Sequence, residues 1–212
     1  MELYFFVRKT HKFRLLTKII IMKHLLLVIL LFVVAKSQSQ TLQFKEGDKA
    51  PNFTAITHAG SKTDLKKLIK NGPVVMVFYR GYWCPFCNKE LNNMNDSLPM
   101  LQAKGATVIA ITPEKYTSVN KTIEKTKASF DIISDTSNII LKQYGVNFTV
   151  DDKTLEKYKT YGIDFASVNG NKDNILPVPA VFIIDKNGKF KYLYFDTDYR
   201  KRPSLKTLLE NL

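Results

Sequence analysis

The chain of 212 residues is poor in the side chains that bind metals or build disulfide frameworks. It contains two cysteines and three histidines, and His58 is the only histidine after residue 39. A zinc site needs about four such ligands, and the two cysteines do not supply them. His58 lies beside Ala59-Gly60, a position typical of a surface loop, so no Cys–His nucleophile is indicated. We therefore expect no metal and no other cofactor.

The sequence also lacks an apolar run long enough to cross a membrane. The run over residues 25–35 has eleven residues, whereas a span needs about 20. Lys23-His24 precedes this run and small residues follow it at 35–39, the pattern of a signal peptide. We predict a signal peptide over residues 1–39, export to the periplasm or to its membrane face, and no stable membrane span after cleavage. Translation from Met22 rather than Met1, and an uncleaved anchor, remain open alternatives.

Clustered positive charge is scarce, although the formal net charge is +13. Part of the excess lies in the leader, and most other lysines are scattered singly along the chain. Lys66-Lys67 and Arg200-Lys201-Arg202 are the clusters that remain. A nucleic-acid surface would concentrate basic residues on one face with aromatic residues between them. We expect no nucleic-acid partner.

What the sequence does contain is an alternation of short apolar runs and helical patterns. The runs at 74–79 and 108–111 are typical of central strands buried on both faces. The runs at 181–184 and 190–194 flank Asn187-Gly188, a hairpin signal, and leucines at helical spacing close the chain. We predict an α/β fold with thioredoxin-like architecture. It has a central mixed β-sheet, helices on both faces, and a C-terminal β-hairpin plus helix.

The pattern predicts a single thioredoxin-like domain over residues 40–212. Within it, residues 146–176 are polar and include Gly162 and Gly170. This segment shows no clear periodicity. We predict a loop-rich insertion with little regular structure of its own.

The two cysteines lie three residues apart, after a predicted buried strand and at the start of a predicted helix. A helix N-terminus stabilises an anion, and cysteines placed there have pKa values lowered from about 8.5 to roughly 3.5–7.5. Two thiols at i and i+3 share one face of the first turn, close enough to form a bridge. We expect Cys84 to be the exposed nucleophile and Cys87, one turn deeper, to be the resolving thiol.

A purely structural bridge is the main alternative for this cysteine pair. In an exported protein, two cysteines are expected to pair. A bridge that closes so short a loop removes little chain entropy, however, and so contributes little stability. The spacing therefore favours a disulfide that opens and closes.

Three sequence elements resemble one known family. They are Gly47-x-x-Ala50-Pro51-x-Phe53, the stretch 78–87 with Arg80-Gly81-Tyr82-Trp83-Cys84-Pro85-Phe86-Cys87, and the stretch 177–185 beginning Pro177-Val178-Pro179-Ala180. Together with Asp196-x-Asp198-Tyr199-Arg200-Lys201-Arg202, they resemble the peroxiredoxin-like branch of the thioredoxin superfamily. This branch is the alkyl hydroperoxide reductase/thiol-specific antioxidant group.

The resemblance implies a redox-active pair, Cys84 and Cys87, that faces a cis-proline at Pro179. From sequence alone, an ordinary trans bond before a strand would be the commoner case for such a proline. Arg80, and either Arg200 or Arg202, would match the arginines that hold the thiolate and polarise a peroxide, with Trp83 beside them. The implied partners are a peroxide or protein disulfide substrate and a thioredoxin-like electron donor.

The sequence departs from the family pattern at one point. Typical peroxiredoxins carry Pro-x-x-x-Thr/Ser-x-x-Cys after the same strand. Laid on residues 80–87, this pattern places Cys84 at the hydroxyl position and Cys87 at the peroxide-attacking cysteine. A thioredoxin-like mechanism would instead make Cys84 the nucleophile.

Three functions therefore remain open. The first is a peroxiredoxin-like thiol oxidoreductase that reduces peroxides as an antioxidant and serves cell redox homeostasis. The second is an exported thioredoxin-like protein thiol–disulfide oxidoreductase. The third is a non-catalytic domain with a vestigial cysteine pair, which would keep an ordinary thiol pKa near 8.5.

Overall fold

The computed structural model describes residues 21–23, 41–170 and 172–212. The compact unit treated below comprises Leu42–Leu212. Apart from residues 21–23, the predicted signal peptide lies outside the described residues. None of the described helices is long and apolar enough to cross a bilayer.

A five-stranded mixed sheet with strand order β5-β4-β3-β8-β9 forms the centre of the unit. The described strands are β1 (Thr54–Ile56), β2 (Lys62–Asp64), β3 (Val74–Phe78), β4 (Thr107–Thr112), β5 (Asp131–Ser134), β6 (Asn147–Thr149), β7 (Ile175–Pro177), β8 (Ala180–Ile184) and β9 (Phe190–Phe195). Strands β3, β4 and β5 are parallel, whereas β8 and β9 run antiparallel to their neighbours. The small pairs β1–β2 and β6–β7 lie outside this sheet.

Helices cover both faces of the sheet, as predicted. They are α1 (Leu65–Leu68), α2 (Pro85–Asp96), α3 (Leu98–Ala103), α4 (Tyr116–Thr126), α5 (Ile139–Gln143), α6 (Asp152–Thr160), α7 (Phe165–Asn169) and α8 (Leu205–Glu210). One apolar cluster joins α2, α3, α4 and α8 to Val75 and Val77 of β3. A second cluster joins α1 and α5 to Val74, Met76 and Phe78. Because successive side chains of a strand point to opposite faces, the fully apolar β3 supplies both cores.

The hairpin β8–β9 brings the end of the chain back to α2. Its turn is closed by the Asp185 carboxylate, which accepts hydrogen bonds from the backbone N–H groups of Asn187 and Lys189. Gly188 adopts a φ of 76°, the left-handed region that glycine favours in such turns. The predicted hairpin and closing helix are thus confirmed. The loop between β9 and α8 lies against α2 through Arg202, which pairs with Glu90.

Residues 146–176 are more regular than predicted. The segment contains β6, the helices α6 and α7, and the first two residues of β7. Phe165 and Leu176 form part of a small apolar cluster within it. Each helix begins with an aspartate cap: the carboxylates of Asp151 and Asp164 accept the N–H groups of Thr154 and Ser167. These caps satisfy backbone donors that would otherwise be free. The prediction of a loop-rich segment was wrong. The glycines and polar residues of this segment indicate loops, but the aspartate caps at Asp151 and Asp164 start helices there.

The predicted cis bond at Pro179 is also wrong, since no cis peptide bond occurs among the described residues. Pro177 ends β7 and Ala180 begins β8, and Pro179 is buried between them. The N–H of Val178 donates to the carbonyl of Val146 at 2.7 Å. Pro179 therefore continues the chain from β7 to β8 through a trans bond, the commoner case for a proline before a strand, and not through the cis bond that the resemblance implied.

Candidate active site

Cys84 and Cys87 occupy the first turn of α2, as the sequence predicts. Cys84 is the N-cap residue, Pro85 opens the helix, and the Sγ of Cys84 accepts the backbone N–H of Cys87 at 3.2 Å. The two cysteines form a disulfide with their Cα atoms 5.3 Å apart. Proline suits the first helical position because its missing N–H would have no partner there. The strand-to-helix junction thus presents one sulfur to the N-terminal end of the helix.

Both sulfurs are buried, which contradicts the prediction that Cys84 is exposed. Each cysteine has 0% of its surface accessible. The physical reason is that both cysteines pack in the apolar cluster beside β3. Each sulfur also lies against an arginine guanidinium: Arg80 for Cys84 and Arg202 for Cys87. A reactant therefore reaches either sulfur only when a covering side chain moves.

The Arg80 side chain connects Cys84 to a group of aromatic rings. Its Nη2 lies 3.4 Å from the Sγ of Cys84. Its Nη1 donates to the hydroxyl of Tyr158 at 3.0 Å. The guanidinium also lies over the rings of Tyr199 and Trp83, with Cζ 4.0 and 5.3 Å from the ring centroids. Burial lowers the pKa of Arg80 below its usual range, but arginine remains protonated at neutral pH, so a positive charge sits beside Cys84.

Arg202 contacts Cys87 as Arg80 contacts Cys84. Its Nη2 lies 3.7 Å from the Sγ of Cys87, and its Nε is ion-paired with Glu90. Arg200, the other predicted candidate, is exposed and makes a two-pronged pair with Asp198 at 2.8 and 3.0 Å. Of the two arginines that sequence left open, the structure brings Arg202 to the cysteine pair.

Glu90 is a buried carboxyl group that no sequence motif indicates. Its side chain pairs with Arg202 through one oxygen, while Oε1 is buried without a hydrogen-bond partner in the described part of the chain. Burial raises the pKa of Glu90 to about 7, against the lowering effect of Arg202. Its spacing in the sequence could have indicated its burial. Glu90 follows Cys87 by three residues and precedes Leu91, and all three lie on the buried side of α2.

Glu114 is a second buried carboxyl group, and it holds the turn that precedes Cys84. Its Oε1 accepts the N–H of Tyr82 at 2.8 Å, and its Oε2 accepts the hydroxyl of Thr122 at 2.9 Å. Burial raises the pKa of Glu114 above its usual range. The sequence does not indicate this burial, because Glu114 lies in the loop between β4 and α4, where no periodic pattern applies.

His58 lies elsewhere in the fold. Its Nδ1 accepts the N–H of Ile132 at 3.1 Å and so fastens its loop to β5. Within the described ranges, no group of three His, Cys, Asp or Glu side chains is placed to hold a metal ion. The site is thus a cysteine pair with one arginine at each sulfur.

Comparison with known protein sequences identifies relatives of two kinds. The chain is 32% identical over 144 residues to the thiol-disulfide oxidoreductase ResA of Bacillus thuringiensis subsp. konkukian, a match that covers 68% of this chain. It is 30% identical over 149 residues to the putative chloroplastic peroxiredoxin Q of Oryza sativa subsp. indica, which covers 70% of this chain. The matches span 65% and 58% of those relatives' own lengths.

Structural comparison confirms the thioredoxin-like α/β fold. The peroxidoxin BcpB of Mycobacterium tuberculosis superposes with a TM-score of 0.61, over 80% of this chain and 96% of that one, at 20% sequence identity. The profile of the AhpC/TSA family matches residues 46–193, which is more than half of the chain. The chain therefore belongs to the AhpC/TSA family.

Proposed function

We propose that the chain is a peroxiredoxin-like thiol oxidoreductase that reduces peroxides by cycling Cys84 and Cys87 between dithiol and disulfide. The observation that carries this proposal is the 3.4 Å contact between the Arg80 guanidinium and the Sγ of Cys84 at the N-terminus of α2. A guanidinium and a helix N-terminus both stabilise a thiolate, which is the reactive form of cysteine.

Cys84 is the attacking thiol in this proposal, and the two arginines supply the reason. The charge of Arg202 is opposed by Glu90 whenever that carboxyl is ionised. Arg80 makes no ion pair within the described residues; its contacts there include a phenol and aromatic rings. Its positive charge is therefore the less compensated of the two, and the sulfur beside it is the more strongly stabilised as an anion.

The first chemical step oxidises Cys84. Its thiolate attacks one oxygen of the peroxide, the O–O bond breaks, and the sulfur becomes a sulfenic acid while the other oxygen leaves and takes up a proton. The Nε–H of Arg80 is buried without a hydrogen-bond partner in the described chain. This unpaired donor belongs to the guanidinium that contacts Cys84 through Nη2, and it suits the negative charge that develops on the leaving oxygen.

The second step forms the disulfide that the structure contains. The sulfur of Cys87 attacks the sulfenic sulfur of Cys84, the S–S bond forms, and water leaves. Arg202, 3.7 Å from Cys87, stabilises the thiolate that performs this attack. A dithiol of the thioredoxin-like class then returns the pair to the reduced state by thiol–disulfide exchange.

A protein disulfide is the second candidate substrate. It is favoured by the 32% identity to a relative named as a thiol-disulfide oxidoreductase. The same two thiols would then act through a mixed disulfide between Cys84 and the substrate. The complete burial of both sulfurs favours the smaller peroxide, which requires less opening of the site than a protein does.

Parallel peroxide and insulin-reduction assays test the proposal. We expect the reduced protein to react with hydrogen peroxide at least about a hundredfold faster than free cysteine at pH 7, because the thiolate is prepared and the leaving oxygen is stabilised. Trp83, the single tryptophan of the chain, lies next to Cys84 and reports the oxidation by fluorescence in a stopped-flow instrument. Reaction no faster than free cysteine, together with rapid insulin reduction, would instead establish the second candidate. Failure of both assays would leave a vestigial cysteine pair.

We also propose that residues 1–39 act as a signal peptide and that the redox domain works in the periplasm. The support is the sequence pattern of a short positive head, eleven apolar residues and small residues at 35–39. Mass spectrometry of the mature protein after cell fractionation should find an N-terminus between residues 36 and 40. An intact leader on a membrane-bound product would indicate an uncleaved anchor.

A further inference from the structure

Helix α6, in the segment between β6 and β7, places a tyrosine next to the cysteine pair. The hydroxyl of Tyr158 accepts a hydrogen bond from Nη1 of Arg80 at 3.0 Å. The other terminal nitrogen of the same guanidinium, Nη2, lies 3.4 Å from the Sγ of Cys84. Tyr158, which is 78 positions after Arg80 in the chain, is thus separated from the proposed nucleophile by a single side chain, that of Arg80.

The orientation of the Arg80 guanidinium depends on few directional contacts. No carboxylate pairs with Arg80 in the described residues, and its Nε–H has no partner there. The rings of Tyr199 and Trp83 hold the planar group against their faces. Such ring contacts fix the position of a cation more than the direction of each N–H group. The phenol is therefore the contact that determines which nitrogen faces the sulfur.

Tyr158 is itself held in place by aromatic packing. Its ring lies 5.1 Å from the ring of Trp83 and 5.1 Å from that of Phe165 in α7. No residue of α6 is fully buried. The helix therefore depends on contacts of this kind for its attachment, and Tyr158 presents a fixed hydroxyl to Arg80.

We propose that Tyr158 is a positioning residue that holds the Arg80 guanidinium in the orientation in which Nη2 contacts the Sγ of Cys84. The inference rests on the proposed function of Cys84 as the attacking thiol. It makes the segment 146–176 a part of the site, since α6 sets how readily Cys84 ionises and reacts. The charged and titratable groups that act on Arg80 include Tyr158, Tyr199 and Arg202, and Arg202 is paired with Glu90. On the other side of Cys84, the carboxyl group of Glu114 accepts the N–H of Tyr82.

The test is the variant Tyr158→Phe, which removes the hydroxyl and keeps the ring that packs on Trp83. All proteins carry Cys87→Ser, so that iodoacetamide labels Cys84 alone. We expect the midpoint of the labelling profile to move to higher pH. The labelling rate at pH 6 should fall roughly threefold, the effect of one lost hydrogen bond. The rate at high pH, where every thiol is ionised, should be unchanged.

Two further variants separate positioning from simple packing. Arg80→Met, which removes the cation, should lower the rate at pH 6 by about tenfold. Adding Tyr158→Phe to Arg80→Met should have no additional effect, because the hydroxyl acts through Arg80. The control is Tyr161→Phe, a tyrosine just after the same helix that is 67% exposed, and its profile should coincide with that of the parent protein.

The outcomes distinguish the inference from the function on which it rests. A Tyr158→Phe profile identical to the parent's, with Arg80→Met shifted, would overturn the role of Tyr158 and leave the role of Cys84 intact. An effect of Tyr158→Phe that persists at full size without Arg80 would also overturn it. If Cys84 in the parent protein labels at pH 6 no faster than an ordinary thiol, the proposed function fails and the inference fails with it.

Discussion

Replacing Cys84 with Ser should abolish turnover, whether the substrate is a peroxide or a protein disulfide. We expect less than about one thousandth of the wild-type rate, since the attacking thiolate is lost and Cys87 has no second thiol with which to close a disulfide. Cys87, left alone, keeps Arg202, but the charge of that arginine is opposed by Glu90. A hydroxyl at position 84 does not ionise near neutral pH and does not substitute for the sulfur.

Cys87→Ser should behave differently, because it removes the resolving thiol and leaves the attacking one. With peroxide, we expect one turnover that stops at a sulfenic acid on Cys84, detectable by a dimedone adduct in mass spectrometry. With a disulfide substrate, the mixed disulfide should accumulate, since the second sulfur that would release the product is absent. Cys84→Ser should yield neither adduct.

The two serine variants are matched controls for each other. A disulfide across three residues contributes little stability, so both variants should unfold at urea concentrations close to that of the wild type. The opposite pattern, with adducts on Cys87 in Cys84→Ser and none in Cys87→Ser, would contradict the assignment. It would support the alignment in which Cys84 replaces the hydroxyl of typical peroxiredoxins.

The parts of the fold that sequence predicts are those whose signals are local. Strand β3 is apolar at each of its five positions, and all five are buried in the structure. The turn at Asn187-Gly188 favours a hairpin because Gly188 adopts a left-handed conformation, with φ of 76°, that few other residues tolerate. The start of α2 follows from Cys84 and Pro85, whose positions relative to the strand are fixed by a short connection.

The parts that sequence does not predict depend on contacts between distant segments. Cys84 lies against Arg80, and Arg80 is held by Tyr158 and Tyr199, which are 78 and 119 positions further along the chain. No periodicity within one helix reports such an encounter. Glu90 illustrates the same point, since a glutamate in a helix indicates a solvated face until Arg202 is known to meet it.

The buried carboxyl of Glu90 should make the stability of the protein depend on pH. Glu90 is 7% exposed, and burial raises its pKa to about 7 from an unperturbed 4.5, although Arg202 lowers it. The folded state therefore binds the Glu90 proton more tightly than the unfolded chain does. Stability from this group is fully present below about pH 4.5 and is lost as the pH rises through about 7.

We expect Glu90→Gln to remove this pH dependence, because an amide of the same shape does not titrate. Between pH 4.5 and pH 8, the free energy of unfolding of the wild type should fall relative to that of the variant by about 3 kcal/mol. Urea unfolding of the oxidised proteins at half-unit pH steps, followed through Trp83 fluorescence, measures the difference. Glu124→Gln, which makes the same substitution at an exposed glutamate of α4, is the matched control, and it should leave the fall in stability that is due to Glu90 in place.

Protonation of Glu90 should also affect the ionisation of Cys87, because Glu90 is paired with Arg202. As Glu90 takes up a proton, the charge of Arg202 is no longer opposed and acts fully on Cys87, 3.7 Å away. In the reduced protein, Glu90→Gln should therefore increase the thiolate fraction of Cys87 at pH 8, where the wild-type carboxyl is ionised. Iodoacetamide labelling of Cys87 in a Cys84→Ser background measures this fraction. Unfolding curves that stay parallel from pH 4.5 to 8, with unchanged labelling, would show that the carboxyl is ionised throughout and that Arg202 compensates its burial completely.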